Sequence, residues 1–372
     1  VSLPAVIVGE ITTLCADLAQ ELRELSLTTP RARQCTAAAL SVALSVAIAL
    51  WLRIDEVWWA GISAFICSRS TLPASIERGI LRIVGTAIGA ALAMVMVGWL
   101  AYDHVACCLV LLLFSTVGVF GSMVGRYGYA WLFAGITANL VLLISLDEPT
   151  LALHFAYYRT LEVAVGVVSA LAVATTLAPA GNAAPTALPP GFTDLFGARW
   201  PILMHALRGG VAVAVLPVIW NWLQIKDLSQ MAVTVAAVLA IPSLSLDPGH
   251  DARLIARRAG HRMAGCVIGG VAGLMCLTLD IEIFPLWLLV LGAGVWIGAH
   301  IQASTRGIGY AGTQAAVVFI TTMAQGWGPA ESILPGIERF IGITLGLVTL
   351  VGVTALLAML SIPDGKEESA SF

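Results

Sequence analysis

The sequence predicts an all-α integral membrane protein of about twelve transmembrane helices, arranged as two parallel six-helix repeats. Three observations predict it. The 372 residues are 59% hydrophobic and only 11% charged, with a mean hydropathy of +0.93, where a soluble domain carries roughly 45–50% and 25%. Long apolar runs with almost no internal charge recur from Cys35 to Ser361, each near the ~20 residues a helix needs to cross ~30 Å of hydrocarbon. Finally, a proline-rich stretch divides the chain into halves that match when one is shifted onto the other. Runs such as 37–52 lack the alternation of a barrel strand, so helices are expected.

Residues 1–34 form a cytoplasmic amphipathic helix and lead-in. Glu10, Asp17, Glu21 and Glu24 stand where a signal peptide would be basic and apolar, so none is expected. Ile11, Leu14, Cys15, Leu18, Leu22 and Leu25 follow helical spacing, and the acidic opposite face argues for packing on the protein rather than on anionic lipid. The first repeat, 35–178, holds spans near 36–52, 57–72, 81–101, 105–124, 129–146 and 156–178. A cytoplasmic linker, 179–200, follows. The second repeat, 201–362, holds spans near 204–223, 229–246, 262–279, 284–302, 308–325 and 336–361, and 363–372 is a cytoplasmic tail. With the N-terminus inside, this count leaves only Arg53, Arg159, Lys226 and Arg339 of the 19 basic residues outside, as the positive-inside rule requires.

The repeat rests on scarce matches. A shift of 180 residues places Arg78 on Arg258, Arg82 on Arg262, Gly85 on Gly265, Gly89 on Gly269, Arg159 on Arg339 and Gly166 on Gly346. A shift of 181 places Gly128-Tyr129-Ala130 on Gly309-Tyr310-Ala311, and one of 171 places Trp51-Leu52 on Trp222-Leu223. Six spans per half give both halves one orientation, related by an axis along the membrane normal.

Other classes find little support. A net charge of −3 with no basic tract argues against nucleic acid. The seven cysteines form no CxxC or Cys/His spacing, so they read as small buried hydrophobes and no metal is expected. There is no HExxH, GxSxG or GxxxxGK[ST], hence no enzyme and no cofactor are expected.

The chemistry-bearing candidates are few. Each repeat carries a Gly-x-x-x-Gly, at Gly85/Gly89 and Gly265/Gly269, which lets helix backbones approach closely. Arg78, Arg82, Arg258 and Arg262 stand beside these motifs, at the expected N-terminal ends of spans 3 and 9. Either they snorkel to headgroups, or they and the helix N-terminal amides form an anion site at the cytoplasmic mouth. Asn139 and Gln314 sit mid-span, with His300 near an inner end. These either bond a neighbouring helix or line a path. At the outer rim, Glu162 follows Arg159 by three residues and shares its face, whereas Glu338 points away from Arg339. The pair reads as a brace or proton-linked pair, and Arg339 as an outward anion contact.

One order of residues is familiar: Trp58-Trp59-Ala60 with Ser63, Arg78-x-x-x-Arg82-x-x-Gly85-Thr86-x-x-Gly89, and Arg159-x-x-Glu162-x-x-x-Gly166. It resembles the fusaric acid resistance or aromatic acid exporter family, whose plant relatives include aluminium-activated malate transporters. The second half resembles it as a decayed copy, with Cys266 where Thr86 stands and Gly342 where Glu162 stands. Many members also carry a large cytosolic domain. The resemblance implies a bacterial inner-membrane exporter of organic, often aromatic, carboxylates driven by proton-motive force. It also implies the bilayer and a small organic anion as partners, with a periplasmic adaptor and a homo-oligomer as further candidates. A passive anion channel and a membrane scaffold or accessory subunit are the alternative expectations.

Overall fold

The computed structural model describes residues 3–100, 103–179, 197, 199–223, 229–239, 248–326, 328–329 and 334–360. Most of the linker (180–196 and 198), the tail and Lys226 lie outside the described residues.

The described residues are helical or irregular apart from one two-residue antiparallel pair, Ala324–Gln325 with Gly328–Pro329. Before the first span comes α1 (Leu3–Arg23), and the first half then contributes α2 (Pro30–Trp51), α3 (Val57–Cys67), α4 (Leu72–Leu100), α5 (His104–Val124), α6 (Gly128–Asp147) and α7 (Ala152–Leu177). The second half contributes α8 (Trp200–Ala214), α9 (Leu216–Leu223), α10 (Ser229–Leu239), α11 (Pro248–Leu277), α12 (Phe284–Gln302), α13 (Gly309–Met323) and α14 (Leu334–Leu360). Among the described residues, 8 helices are long and apolar enough to cross a membrane. Large apolar side chains such as Leu92, Val95, Leu109 and Leu113 are exposed on their outer faces, where lipid and not water is the matching solvent.

Local chemistry fixes the ends. Thr29 caps α2, accepting from Ala32 N–H at 3.2 Å, with Pro30 following at the first helical position. Asp103 caps α5 by accepting from Val105 and Ala106, each at 3.0 Å. The run expected as one span at 204–223 is interrupted at Val215 between α8 and α9, next to Pro217, which lacks the N–H a continuous helix needs.

Two differences from the sequence reading matter for function. α3 has 11 residues, about 17 Å of helix against ~30 Å of hydrocarbon, while the second part of the span expected at 229–246 lies outside the described residues. Span 57–72 therefore stops at Cys67, and Ser75 Oγ accepts from the Arg69 N–H at 3.0 Å in the irregular stretch that follows. Secondly, α4 and α11 start at Leu72 and Pro248, well before the apolar runs begin. The four arginines beside the glycine motifs thus lie inside their helices, past the N-terminal amides of α4 and α11. The cause is that charge ends a hydrophobic run without ending a helix.

The packing is reciprocal. Within the halves, α4 packs on α6 as α11 packs on α13, and α3 on α7 as α10 on α14. Between them, α5 packs on α8 as α12 packs on α2, and α6 on α10 as α13 on α3. The apolar core crosses the boundary accordingly: Val42 and Ala60 cluster with Leu291 and Phe319, and Leu111 with Val213 and Leu350.

Glycine makes the intra-half contacts possible. Gly85 and Gly89 lie against the carbonyls of Ala130 and Ala134, and Gly265 and Gly269 against those of Ala311 and Ala315. A methyl at Gly269 would meet fixed backbone, whereas one at the neighbouring Gly270 would meet the Val318 side chain at an ordinary 3.6 Å. Gly269→Ala is therefore expected to destabilise by about 1–3 kcal/mol and Gly270→Ala to be close to neutral. Thermal unfolding of the two purified variants makes the comparison, and equal midpoints would refute the packing account.

The amphipathic α1 docks on the second half. Leu14 and Leu18 pack on Ile301, Ile308 and Ala311, while buried Glu21 gathers Arg31 (2.6 Å), Ser304 (2.6 Å) and Arg306 (2.6 Å), and Arg306 also holds Glu24 at 2.7 Å. Arg31 further donates to the His300 carbonyl. Burial pushes the Glu21 carboxyl upward, but the hydrogen bonds from Ser304, Arg31 and Arg306 outweigh it and hold it below its ordinary value. A carboxyl depressed in the folded state stabilises fully above its unfolded value, ~4.3, and loses that contribution as pH falls through the lower folded one. The thermal midpoint is accordingly expected to owe nothing to Glu21 titration across the neutral range, and Glu21→Gln to remove a stability increment present at pH 7 and absent in strong acid.

Candidate functional site

α3, α4 and α6 of the first half face α10, α11 and α13 of the second across a cleft of about 460 Å³. Three arginines line one side, Arg69, Arg78 and Arg82, and two the other, Arg258 and Arg262. Among the described residues lining it there is no Asp or Glu. Nor does any ion pair among the described residues involve Arg78, Arg82, Arg258 or Arg262.

Neutral groups hold these cations instead, in matching ways. Arg82, 1% exposed, donates from Nε to Ser63 Oγ at 3.1 Å and from Nη1 to Tyr129 OH at 2.9 Å. Arg262, 3% exposed, donates from Nη2 to Thr234 Oγ1 at 3.0 Å and from Nη1 to Gln314 Oε1 at 2.7 Å and Tyr310 OH at 3.5 Å. Arg78 lies over the Tyr129 ring at 3.6 Å, and Arg258 over Tyr310 at 4.2 Å while donating to the Ala237 carbonyl at 3.0 Å. Besides Arg69, the two sides differ in what packs on the buried arginine. Arg82 stacks on Phe133 at 4.1 Å where Arg262 bonds Gln314, so the first-half wall is the more aromatic.

Buried cations are normally matched by anions, because desolvating a charge costs several kcal/mol. Here several guanidiniums converge with aromatic faces between them. The arrangement suits a planar organic anion: arginine presents paired donors to a carboxylate, and the rings pack on its apolar body.

Other candidates sit elsewhere. Asn139 is buried and donates to Ser115 at 2.6 Å, away from the cleft lining. His300 is buried, stacks on Trp296 and belongs to the α1 cluster. Arg159 and Glu162 lie in the N-terminal half of α7, where Arg159 reaches Glu56 at 3.0 Å and Glu162 at 3.2 Å and lies over Trp59 at 3.9 Å. The backbone of Arg339 lies in α14, but the side chains of Arg339 and Glu338 are outside the described residues. Sequence reasoning passed over Tyr129, Tyr310, Phe133, Trp59 and Arg69 as cleft residues, and Ser63 and Thr234 as the buried hydroxyls that hold Arg82 and Arg262. The signal was present: the two tyrosines, and Ser63 with Thr234, repeat at the shifts of 181 and 171 that align the halves.

A multi-pass α-helical membrane protein enclosing a cationic, aromatic-walled cleft is the class that fold and site define. Residues 33–187, most of the first half, match the model of the fusaric acid resistance protein family. The p-hydroxybenzoic acid efflux pump subunit AaeB of Musicola paradisiaca is 28% identical over 150 residues, 37% of this chain and 23% of that protein. Its Escherichia coli K12 counterpart is 27% identical over 144 residues, 36% and 22% respectively. The uncharacterized transporter YdhK of Escherichia coli K12 is 25% identical over 145 residues, 34% and 20%. Matched segments thus span under a quarter of these relatives. No solved structure matches the chain.

Proposed function

We propose that the chain is an exporter of organic, chiefly aromatic, carboxylates. Twelve spans form two parallel six-helix halves in the bacterial inner membrane, with both termini cytoplasmic and substrate passing through the cleft between the halves. The single observation that carries the reading is the cleft itself, with five arginines, no described carboxylate and tyrosine and phenylalanine faces between them. The reciprocal contacts of α5 with α8 and α2 with α12 support the repeat. Names of the relatives, an efflux pump subunit and a transporter, support the activity. The word subunit supports a periplasmic adaptor, and proton-motive force is the driving source in this reading.

Uptake of a panel of aromatic carboxylates into inside-out vesicles, with and without a proton gradient, tests it. Concentrative uptake that a protonophore abolishes is the expected result. Flux that follows only the anion's own gradient would make the protein a channel, and none at all, with orientation checked, would make it an accessory subunit. Topology is tested by cysteine accessibility: positions beside Arg69 and Arg199 are expected in the cytoplasm, and those beside Asp103 and Asp280 outside. Arg199 outside would overturn the twelve-span count and the parallel repeat together.

A further inference from the structure

In the N-terminal half of α7 two carboxylates share one guanidinium. Arg159, 3% exposed, reaches Glu56 through Nη2 at 3.0 Å and Glu162 through Nη1 at 3.2 Å. The two glutamates differ in surroundings. The Glu56 side chain is 41% exposed and keeps water, whereas Glu162 is 2% exposed. Its Oε1 accepts from the Glu56 N–H at 3.3 Å, and its Oε2 touches Arg159 without a hydrogen bond. Arg159 does not depend on Glu162 alone, since Glu56 pairs with it and the rings of Trp59 and Phe155 lie 3.9 and 4.6 Å from it.

The charge balance is uneven. Arg159 on α7 faces Glu162, and Glu56 and Asp55 approach from the connection between α2 and α3, where Asp55 is held by His154 at 2.5 Å and Arg53 is exposed and in no ion pair with these carboxylates among the described residues. The charged residues of α4 (Glu77, Arg78, Arg82) and of α2 (Arg31, Arg33) belong to the first turns of those helices or to their inner halves. One cation therefore serves more than one anion, and an ionised carboxylate without water or a full set of hydrogen bonds is costly. A proton on Glu162 removes that cost while Arg159 keeps Glu56.

A contiguous path joins this pair to the cleft. Trp59, whose ring lies against Arg159, also lines the cleft. Ser63 Oγ donates to the Trp59 carbonyl at 2.8 Å and accepts from Arg82 Nε at 3.1 Å. One turn beyond Glu162, Gly166 packs directly against Ala60 and Ser63, so α7 and α3 have no slack between them. The second half has no counterpart: Gly342 stands where the 180-residue shift would place a second Glu162.

We propose that Glu162 is the site that binds the coupling cation, one proton per transport cycle, and that α3 links its occupancy to the Arg82 wall of the cleft. The proposal rests on the anion-export reading and deepens it. The test uses full-length protein in inside-out vesicles with radiolabelled p-hydroxybenzoate, read in two modes. One mode is concentrative uptake into an acidic lumen. The other is exchange at equal pH and equal substrate on both sides, which needs no net proton movement.

Glu162→Gln is expected to lower concentrative uptake at least about tenfold while exchange stays within about twofold of wild type, with Glu162→Asp recovering part of the accumulation. Glu162→Gln that accumulates substrate like wild type overturns the assignment. A wild type inactive in both modes overturns the export reading and this assignment with it. Should Glu162→Gln fail to insert, proton exchange on adding p-hydroxybenzoate to purified wild type is measured with a pH dye: about one proton per bound substrate supports the site, and none overturns it.

Discussion

Arg159→Gln is expected to be among the most destabilising single substitutions in the protein, by about 3–5 kcal/mol, the range for removing one partner of a buried ion pair. The physical reason is what it leaves behind. Glu162, 2% exposed, would face Glu56 and Asp55 with no cation between them. Replacing both members should therefore recover most of the loss, so Arg159→Gln/Glu162→Gln is expected to unfold well above Arg159→Gln. Acid should narrow the gap too, because a protonated Glu162 needs no partner. Thermal unfolding of the three detergent-solubilised proteins at two pH values decides it. A double variant no more stable than the single one would show that Arg159 acts through its ring contacts with Trp59 and Phe155 instead.

The arginines of the cleft should behave the opposite way. Arg82 and Arg262 have hydroxyl, amide and ring partners and no carboxylate, so neutralising either strands no buried anion. Arg82→Gln and Arg262→Gln are each expected to insert and unfold much as wild type does, yet to lower transport of an aromatic carboxylate by tenfold or more, roughly 1.4 kcal/mol of lost anion contact per tenfold. The double variant should approach background. Normal transport in both singles and in the double would return these arginines to a topological role, holding the positive side of the membrane.

Much of this arrangement was legible in the sequence, and the reasons are physical. Lipid leaves a simple signature, so apolar runs marked the long helices. Matched arginines and glycines point to the proposed repeat, since few constraints other than a shared structure would place Arg78, Arg82, Gly85 and Gly89 at the same spacing as Arg258, Arg262, Gly265 and Gly269. The helix starts at Leu72 and Pro248 were not legible, because a hydrophobic window ends at a charge while the backbone ladder continues through it. The shortness of α3 was hidden for the converse reason: Ser68–Thr71 looks like the end of a span, but its backbone borders a cleft where irregular structure is tolerated. Tyr129 and Tyr310 were visible as repeated residues yet not as site residues, for only the fold sets their rings beneath Arg78 and Arg258.

The docking of α1 carries a consequence for biogenesis. Glu24 and the Arg306 that holds it are 282 residues apart in the chain. At ~5–20 residues per second of synthesis, α1 leaves the ribosome roughly 15–60 s before its partner exists. During that interval its apolar stripe, Leu14 and Leu18, has nothing of the second half to cover it. α1 is thus made early and seated late, and its closure onto α12 and the loop after it requires the second half to be in place at least as far as Ala311.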